Sequence, residues 1–233
     1  MSRIAVVRFP GSNSETEALA AVTRAGGTAV LLDYRDTSLG GADAVILPGG
    51  FSYGDYLRSG AIARFAPVMQ AIQGHAAEGG AVIGICNGFQ ILCEAHLLPG
   101  ALLRNAQQRF ASRPVDVRIE RIDTVCTADY SEGEIIRIPI SHGEGRYAAD
   151  PATLEALEAE GRVMMRYVSV PGSDAPHNPN GSARDIAGIC NASGRVVGFM
   201  PHPERLAERV LGSDTGQRCF TSLVGRLTAG ATA

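Results

Sequence analysis

The first hundred residues alternate between continuous apolar runs and amphipathic stretches. "RIAVVRF" (3–9) is almost unbroken apolar and rich in β-branched residues, the pattern of a strand covered on both faces. The turn "PGSN" follows. Ser14-Glu15-Thr16-Glu17 then reads as a capping box opening the helix "ETEALAAVTRAGG", which Gly26 and Gly27 end. Further strands are predicted at "TAVLLDY" (28–34) and "ADAVILP" (42–48). A long helical region over about 60–78 carries Ile62, Phe65, Val68, Met69 and Ile72 on one face. "AVIGI" (81–85) is a fourth strand, and a helix runs from about 88 to 96. Strand and helix in alternation imply a parallel sheet with helices on both faces. Ligands gather beyond the carboxyl ends of such strands, which directs attention to the turns "FPGSN", "LPGGFSYGD" and "GICNGFQ".

The second half changes period. "VDVRIERI" (115–122), "EIIRIPI" (134–140) and, in part, "RVMMRYVSV" (162–170) alternate apolar and polar residues, the mark of antiparallel strands with one wet face. "DPATLEALEAEG" (150–161) is a helix with an aspartate cap, and "IAGICN" and "RVVGFMP" are strands joined through the hairpin signal "ASGR". "PGSDAPHNPNGSA" (171–183) is a surface loop, and a last helix covers about 215–228. The expected fold is α/β: an open, mostly parallel sheet with helices on both faces and antiparallel additions in the second half.

Composition narrows the function classes. With 233 residues, 45% hydrophobic and 19% charged, the chain suits one domain over 1–233, or one with a sizeable insertion, able to bury roughly 70% of its unfolded surface. A net charge of −3 and a pI near 6.0 give no reason to expect nucleic acid or an anionic membrane. No apolar run approaches the roughly 18 residues of a transmembrane helix, and "MSRIAVVRFPGSN" lacks the apolar core and cleavage site of a signal peptide. The five cysteines are odd in number, widely spaced and without C-x-x-C, so neither a disulfide framework nor a zinc site is expected, and a reducing cytoplasm fits.

Gly84-Ile85-Cys86-Asn87-Gly88 is G-x-C-x-G at a strand-to-helix switch, the thiol version of the nucleophile elbow. A sharp turn there strains the nucleophile's backbone, and flanking glycines remove side chains that would clash. The following helix aims its positive end at the sulfur, and the Asn87 N–H is free to meet an oxyanion. The bland alternative is a buried structural cysteine. A thiol nucleophile needs a base, and the base an orienting group. His75 and His96 lie near predicted helix ends and His177 in the polar loop. His202, in "FMPHPER", emerges at a strand end, and Glu204 lies two residues on with Pro203 between. In an extended segment residues two apart point the same way, so Glu204 can fix the imidazole tautomer and stabilise its charge. Alone, this H-P-E would be a surface turn; beside an elbow cysteine it supplies base and orienter. "LPGGFSYGD" lacks the lysine of a phosphate loop, and the first turn lacks G-x-G-x-x-G. The alternatives for Gly49-Gly50 are an ordinary tight turn or a close approach giving a second oxyanion N–H.

"LPGGFSYGD", "GICNGFQIL" and "MPHPER" resemble, in chain order, the three signatures of class I, triad-type glutamine amidotransferases, whose flavodoxin-like sheet matches the predicted fold class. "GGFSYGDYLRSGAIAR", "LLPGALLRN", "IPISHGEGRY" and "NPNGS" narrow the resemblance, over nearly the whole chain, to the glutaminase subunits of phosphoribosylformylglycinamidine synthases. The resemblance implies that Cys86 attacks the side-chain amide of glutamine to form a glutamyl thioester, with His202 as base and then acid, and Glu204 orienting it. It places the oxyanion donors at the backbone N–H of Gly50 and Asn87, and glutamine contacts at Gln90 and at Ser141, Gly143 and Glu144. It implies no metal or cofactor on this chain. ATP and Mg are expected on a large synthetase subunit, joined by a small bridging subunit, which takes the ammonia to convert formylglycinamide ribonucleotide to its amidine. One departure is visible: the first turn reads "PGSNSETE", where the resemblance leads one to expect a cysteine near Ser14. The rival readings are an elbow-cysteine hydrolase or chaperone-like protein without glutamine chemistry, and a binding subunit that has lost activity.

Overall fold

The computed structural model describes residues 1–230. Its nine-stranded sheet is built from β1 (Arg3–Arg8), β2 (Thr28–Asp33), β3 (Ala44–Leu47), β4 (Ala81–Ile85), β6 (Ala111–Ile119), β7 (Ile135–His142), β9 (Val163–Tyr167), β10 (Ile186–Cys190) and β11 (Val196–Phe199). The order across the sheet is β2-β1-β3-β4-β11-β10-β9-β6-β7, and β5 (Ala101–Leu103) pairs with β8 (Arg146–Ala148) in a separate ribbon. The helices are α1 (Glu15–Arg24), α2 (Pro67–Ala77), α3 (Asn87–Glu94), α4 (Pro151–Ala159) and α5 (Gln217–Gly230).

The parallel half follows the predicted alternation. β1 pairs in parallel with β2 and β3, and β3 with β4. β3, β4 and β11 are buried along their whole length, which accounts for their uninterrupted apolar sequences. The predicted hairpin also forms: β10 and β11 pair antiparallel, and the Asn191 side chain accepts from the Arg195 and Val196 amides at 3.0 and 3.1 Å. β11 then docks in parallel on β4, with Phe199 opposite Ile85. That single pairing positions the site: Cys86 is the first residue beyond β4, and His202 the third beyond its neighbour. β7 has the wet-face alternation expected of it and pairs with β6 across an antiparallel ladder.

Three local expectations fail. Ser14 starts α1 but makes no side-chain cap; its Oγ accepts from the Gly49 amide at 2.8 Å instead. The long helix over 60–78 is broken into a 3₁₀ turn at Ala63–Phe65 and α2. Pro67 starts α2 at its first position, where its missing N–H costs nothing, and holds Ala66 extended. Phe65, placed on the buried face by a continuous helix, is 72% exposed. The ribbon β5–β8 has strands too short to carry a periodic signal and escapes sequence-based prediction.

Candidate active site

Cys86 has φ 52° and ψ −103°, a conformation that costs a non-glycine residue on the order of 1–3 kcal/mol. Its two hydrogen-bonding groups explain why it holds. The Cys86 N–H donates to the Phe199 carbonyl at 2.8 Å, continuing the β4–β11 ladder. Its own carbonyl accepts from Phe89 and Gln90 at 3.0 and 3.2 Å, forming the first turn of α3. One residue is therefore the last rung of a ladder and the first acceptor of a helix. The flanking glycines answer to close approach. A Cβ on Gly84 would lie 2.6 Å from the Gly88 carbonyl, and one on Gly88 would lie 2.0 Å from the Leu47 carbonyl oxygen.

The Cys86 side chain is 4% exposed and its thiol donates to the Ser141 carbonyl at 3.7 Å. His202 is fully enclosed. Its backbone N–H donates to the Pro139 carbonyl at 2.8 Å, Nδ1 donates to Glu204 Oε1 at 2.5 Å, and Nε2 is without a hydrogen-bond partner. Burial opposes charge on this ring, but Glu204, together with Cys86, outweighs it and raises the His202 pKa to about 10. Glu204 reaches the ring differently from the expectation. Pro203–Leu206 is a 3₁₀ turn rather than an extended segment, and the two side chains meet across the start of that turn. Ser14 contributes as well: a Cβ on Gly49 would meet Ser14 Oγ at 2.9 Å and His202 Cε1 at 2.8 Å, so the three pack as one group.

In front of Cys86 opens a cavity of about 370 Å³. Gly50, Phe51 and Gln90 line it beside the thiol, with Ser141, His142, Gly143 and Glu144 from the end of β7 and the loop after it, and Asp55, Ser59, Arg104 and Arg109 also on its wall. Gly50 has φ +150°, and a Cβ there would lie 2.6 Å from the Gly11 oxygen and from Ser12 Cα, so only glycine fits. Among the described residues no acceptor takes the N–H of Gly50 or of Asn87. The Asn87 side chain is occupied. It accepts from the Ser52 amide at 3.2 Å and donates to Gln90 Oε1 at 2.8 Å, and Gln90 Nε2 donates to the Glu144 carbonyl at 2.5 Å. This relay fixes the glycine-rich loop, the elbow and the 141–144 segment against one another. His202 and Glu204 do not line the cavity; all the other residues expected from sequence, apart from the helix-starting Asn87, do.

Sequence reasoning passes over His142 and Asp55. His142 is buried, and Asn105 Oδ1 accepts both its Nδ1–H at 3.1 Å and the Gly145 amide at 3.0 Å. Burial, with the neighbouring His202, lowers its pKa to about 3 and keeps it neutral. Its place in "SHGEG" beside Ser141 is the available signal. The other free cysteines are buried, and Cys93 and Cys190 have their thiol pKa raised by burial, whereas Cys86 is the cysteine that acts on the His202 ring. Among the described residues no cluster of three or more His, Cys, Asp or Glu side chains is arranged to hold a metal ion, and no helix is long and apolar enough to cross a membrane.

Comparison with known proteins places this geometry. Residues 1–221 match the model of the CobB/CobQ-like glutamine amidotransferase domain. The phosphoribosylformylglycinamidine synthase subunit PurQ of Rubrobacter xylanophilus is 59% identical over 222 residues, covering 95% of this chain and 97% of that protein. The corresponding Thermus thermophilus subunit is 52% identical, with 95% and 97% covered. Among solved structures, one chain of PurLQS from Thermotoga maritima superposes with a TM-score of 0.86 at 41% identity, over 97% of this chain and 99% of that one. The glutaminase domain of Trypanosoma brucei CTPS, solved with bound acivicin, shares the fold at a TM-score of 0.61 and 17% identity, over 100% of this chain and 94% of that one.

Proposed function

The chain belongs to the CobB/CobQ-like glutamine amidotransferase family, and on that premise we propose that Cys86, His202 and Glu204 hydrolyse glutamine to glutamate and ammonia. It is the glutaminase subunit of a phosphoribosylformylglycinamidine synthase, partnered by synthetase and bridging subunits. The observation that carries the residue roles is the strained elbow thiol beside a buried imidazole whose other nitrogen is held by a carboxylate.

The steps follow from the atoms. The Cys86 thiol turns from the Ser141 carbonyl and gives its proton to His202 Nε2, the unpartnered nitrogen. Glu204 stabilises the imidazolium so formed. The sulfur attacks the side-chain amide carbon of glutamine, and the developing oxyanion takes the free N–H groups of Gly50 and Asn87. His202 returns the proton to the departing nitrogen, releasing ammonia and leaving a glutamyl thioester. Water, deprotonated by His202, then frees glutamate and the thiol. Gln90, Ser141, Gly143 and Glu144 hold the substrate. Ammonia passes to the synthetase subunit, where ATP and Mg act, and the whole chain serves as one amidotransferase domain in the cytoplasm. An elbow-cysteine hydrolase without glutamine chemistry is not favoured, since the sequence kinship runs with the synthase subunits.

The test is glutamate release by wild type and Cys86→Ala, with and without the synthetase subunits. Loop 51–57 carries left-handed Tyr53, Asp55 and Leu57 and exposed Tyr56 and Leu57, a segment for a partner to pack. Release is expected to be strong in the complex, weak in the free subunit, and absent from the variant. Equal release by the Cys86→Ala complex sinks the mechanism.

A further inference from the structure

One carboxylate on the cavity wall has no cation of its own. Asp55 stands at φ 57° in the loop that follows Gly50, and its Oδ1 is buried without a hydrogen-bond partner. Glu144, the other acid lining the cavity, is already satisfied. Its Oε2 accepts from Ser59 Oγ at 2.8 Å and the Ser59 amide at 3.3 Å, and Arg104 lies 3.6 Å from Oε1. Nearby Arg58 is engaged by Glu94, with contacts of 2.5 and 2.7 Å. Burial pushes the Asp55 carboxyl above its ordinary range; Ser59 opposes the rise and Glu144 adds to it. Asp55 as a whole is half-buried, and a partly desolvated carboxylate with no cation beside it is stabilised by one that arrives to meet it. The same cavity holds Arg109, which has no carboxylate partner among the described residues. The charge pattern left open is therefore one anion and one cation at the mouth of a pocket ending in a thiol, the pattern of an α-amino acid.

We propose that Asp55 receives the α-ammonium group of glutamine and so selects the free amino acid over amides that lack that group. The proposal rests on the glutaminase reading above and sharpens it. It also gives the strained loop a purpose, because the left-handed turn at 53–55 aims into the cavity a carboxylate that an extended loop would leave in solvent. Asparagine tolerates this φ better than other side chains with Cβ, so Asp55→Asn removes the charge while keeping the turn. Asp55→Gly, which also accepts the angle, is the second variant.

The experiment measures ammonia release by the assembled complex with two substrates, glutamine and glutaramate, the monoamide of glutaric acid, which lacks the α-amino group. Thermal melting of each complex is recorded alongside. Wild type is expected to favour glutamine. Asp55→Asn should raise the KM for glutamine on the order of 10- to 100-fold, the worth of a hydrogen bond to a charged group, with kcat little changed. Its kcat/KM for glutaramate should stay within about twofold of wild type. Asp55→Gly should repeat this split. Parallel losses on both substrates, or an unchanged glutamine KM, overturn the proposal. A wild-type complex inactive on glutamine removes the glutaminase reading itself, and the proposal with it.

Discussion

Replacing Gly88 by alanine tests whether the elbow is held by close packing. The new Cβ would sit 2.0 Å from the Leu47 carbonyl oxygen and 2.7 Å from its carbon, against 3.4 Å for the start of ordinary contact. The obstacle is β3 backbone inside the buried sheet, with no flexible side chain to move aside. The start of α3 must therefore retreat by about 1 Å or more, carrying the Asn87 amide and the Cys86 turn with it. Overpacking of this kind costs about 1–3 kcal/mol, which for a chain of this size lowers the melting temperature by roughly 2–10 °C. The larger effect is on chemistry, since a displacement of about 1 Å costs on the order of 100-fold in rate. Circular-dichroism melting of the subunit and glutamate release by the complex read the two effects. Gly74→Ala is the control: it lies in α2 with nothing within 4 Å of its Cβ position, and should stabilise by about 0.5–1 kcal/mol. A Gly88→Ala protein that melts within a degree of wild type and keeps its turnover would refute the packing account.

Two further outcomes follow from the buried histidines. His202→Ala should lose thioester formation, while Glu204→Gln should be milder because Glu204 acts through the ring; single-turnover acylation measures both, and equal damage counts against an orienting role. His142 has its folded-state pKa lowered from 6.5 to about 3, so the unfolded chain binds the extra proton first on acidification. Its contribution to stability is complete above pH 6.5 and is lost as pH falls toward 3, by about 2 kcal/mol between pH 7 and 5. Urea midpoints at the two pH values should show that slope in wild type and a smaller one in His142→Phe.

The parts legible in the sequence are those whose causes are local or periodic. The buried strands announce themselves as apolar runs, and the elbow as two glycines around Cys86, because close backbone approach leaves glycine no substitute. Asn191 and the turn after it signal the β10–β11 hairpin. Ser14 misleads because its partner, Gly49, lies 35 residues away, and a capping pattern knows only its own next turn. Phe65 is misplaced when a helical period is carried through Pro67, where the backbone has to open. Glu204 is rightly paired with His202 through the wrong local geometry. His142 gives no signal of its own: its neutrality comes from Asn105, His202 and burial, none of them adjacent in sequence. Asp55 sits in plain view within "GGFSYGD", but only the cavity shows that its charge has no answer.

β7 borders the sheet, with a neighbour on one side only. Its outward carbonyls at Pro139 and Ser141 are taken by the His202 amide at 2.8 Å and the Cys86 thiol at 3.7 Å. Carbonyls two residues apart on a strand face the same edge, spaced roughly 6.7 Å. The strand thus works as a ruler for the site: the anchor points of the His202 backbone and the Cys86 thiol are one strand repeat apart, whatever side chains the strand carries. The same contacts close part of an open edge, the kind of surface through which sheet proteins recruit one another and aggregate. A lesion that frees His202 and Cys86 from β7 would therefore cost solubility as well as turnover.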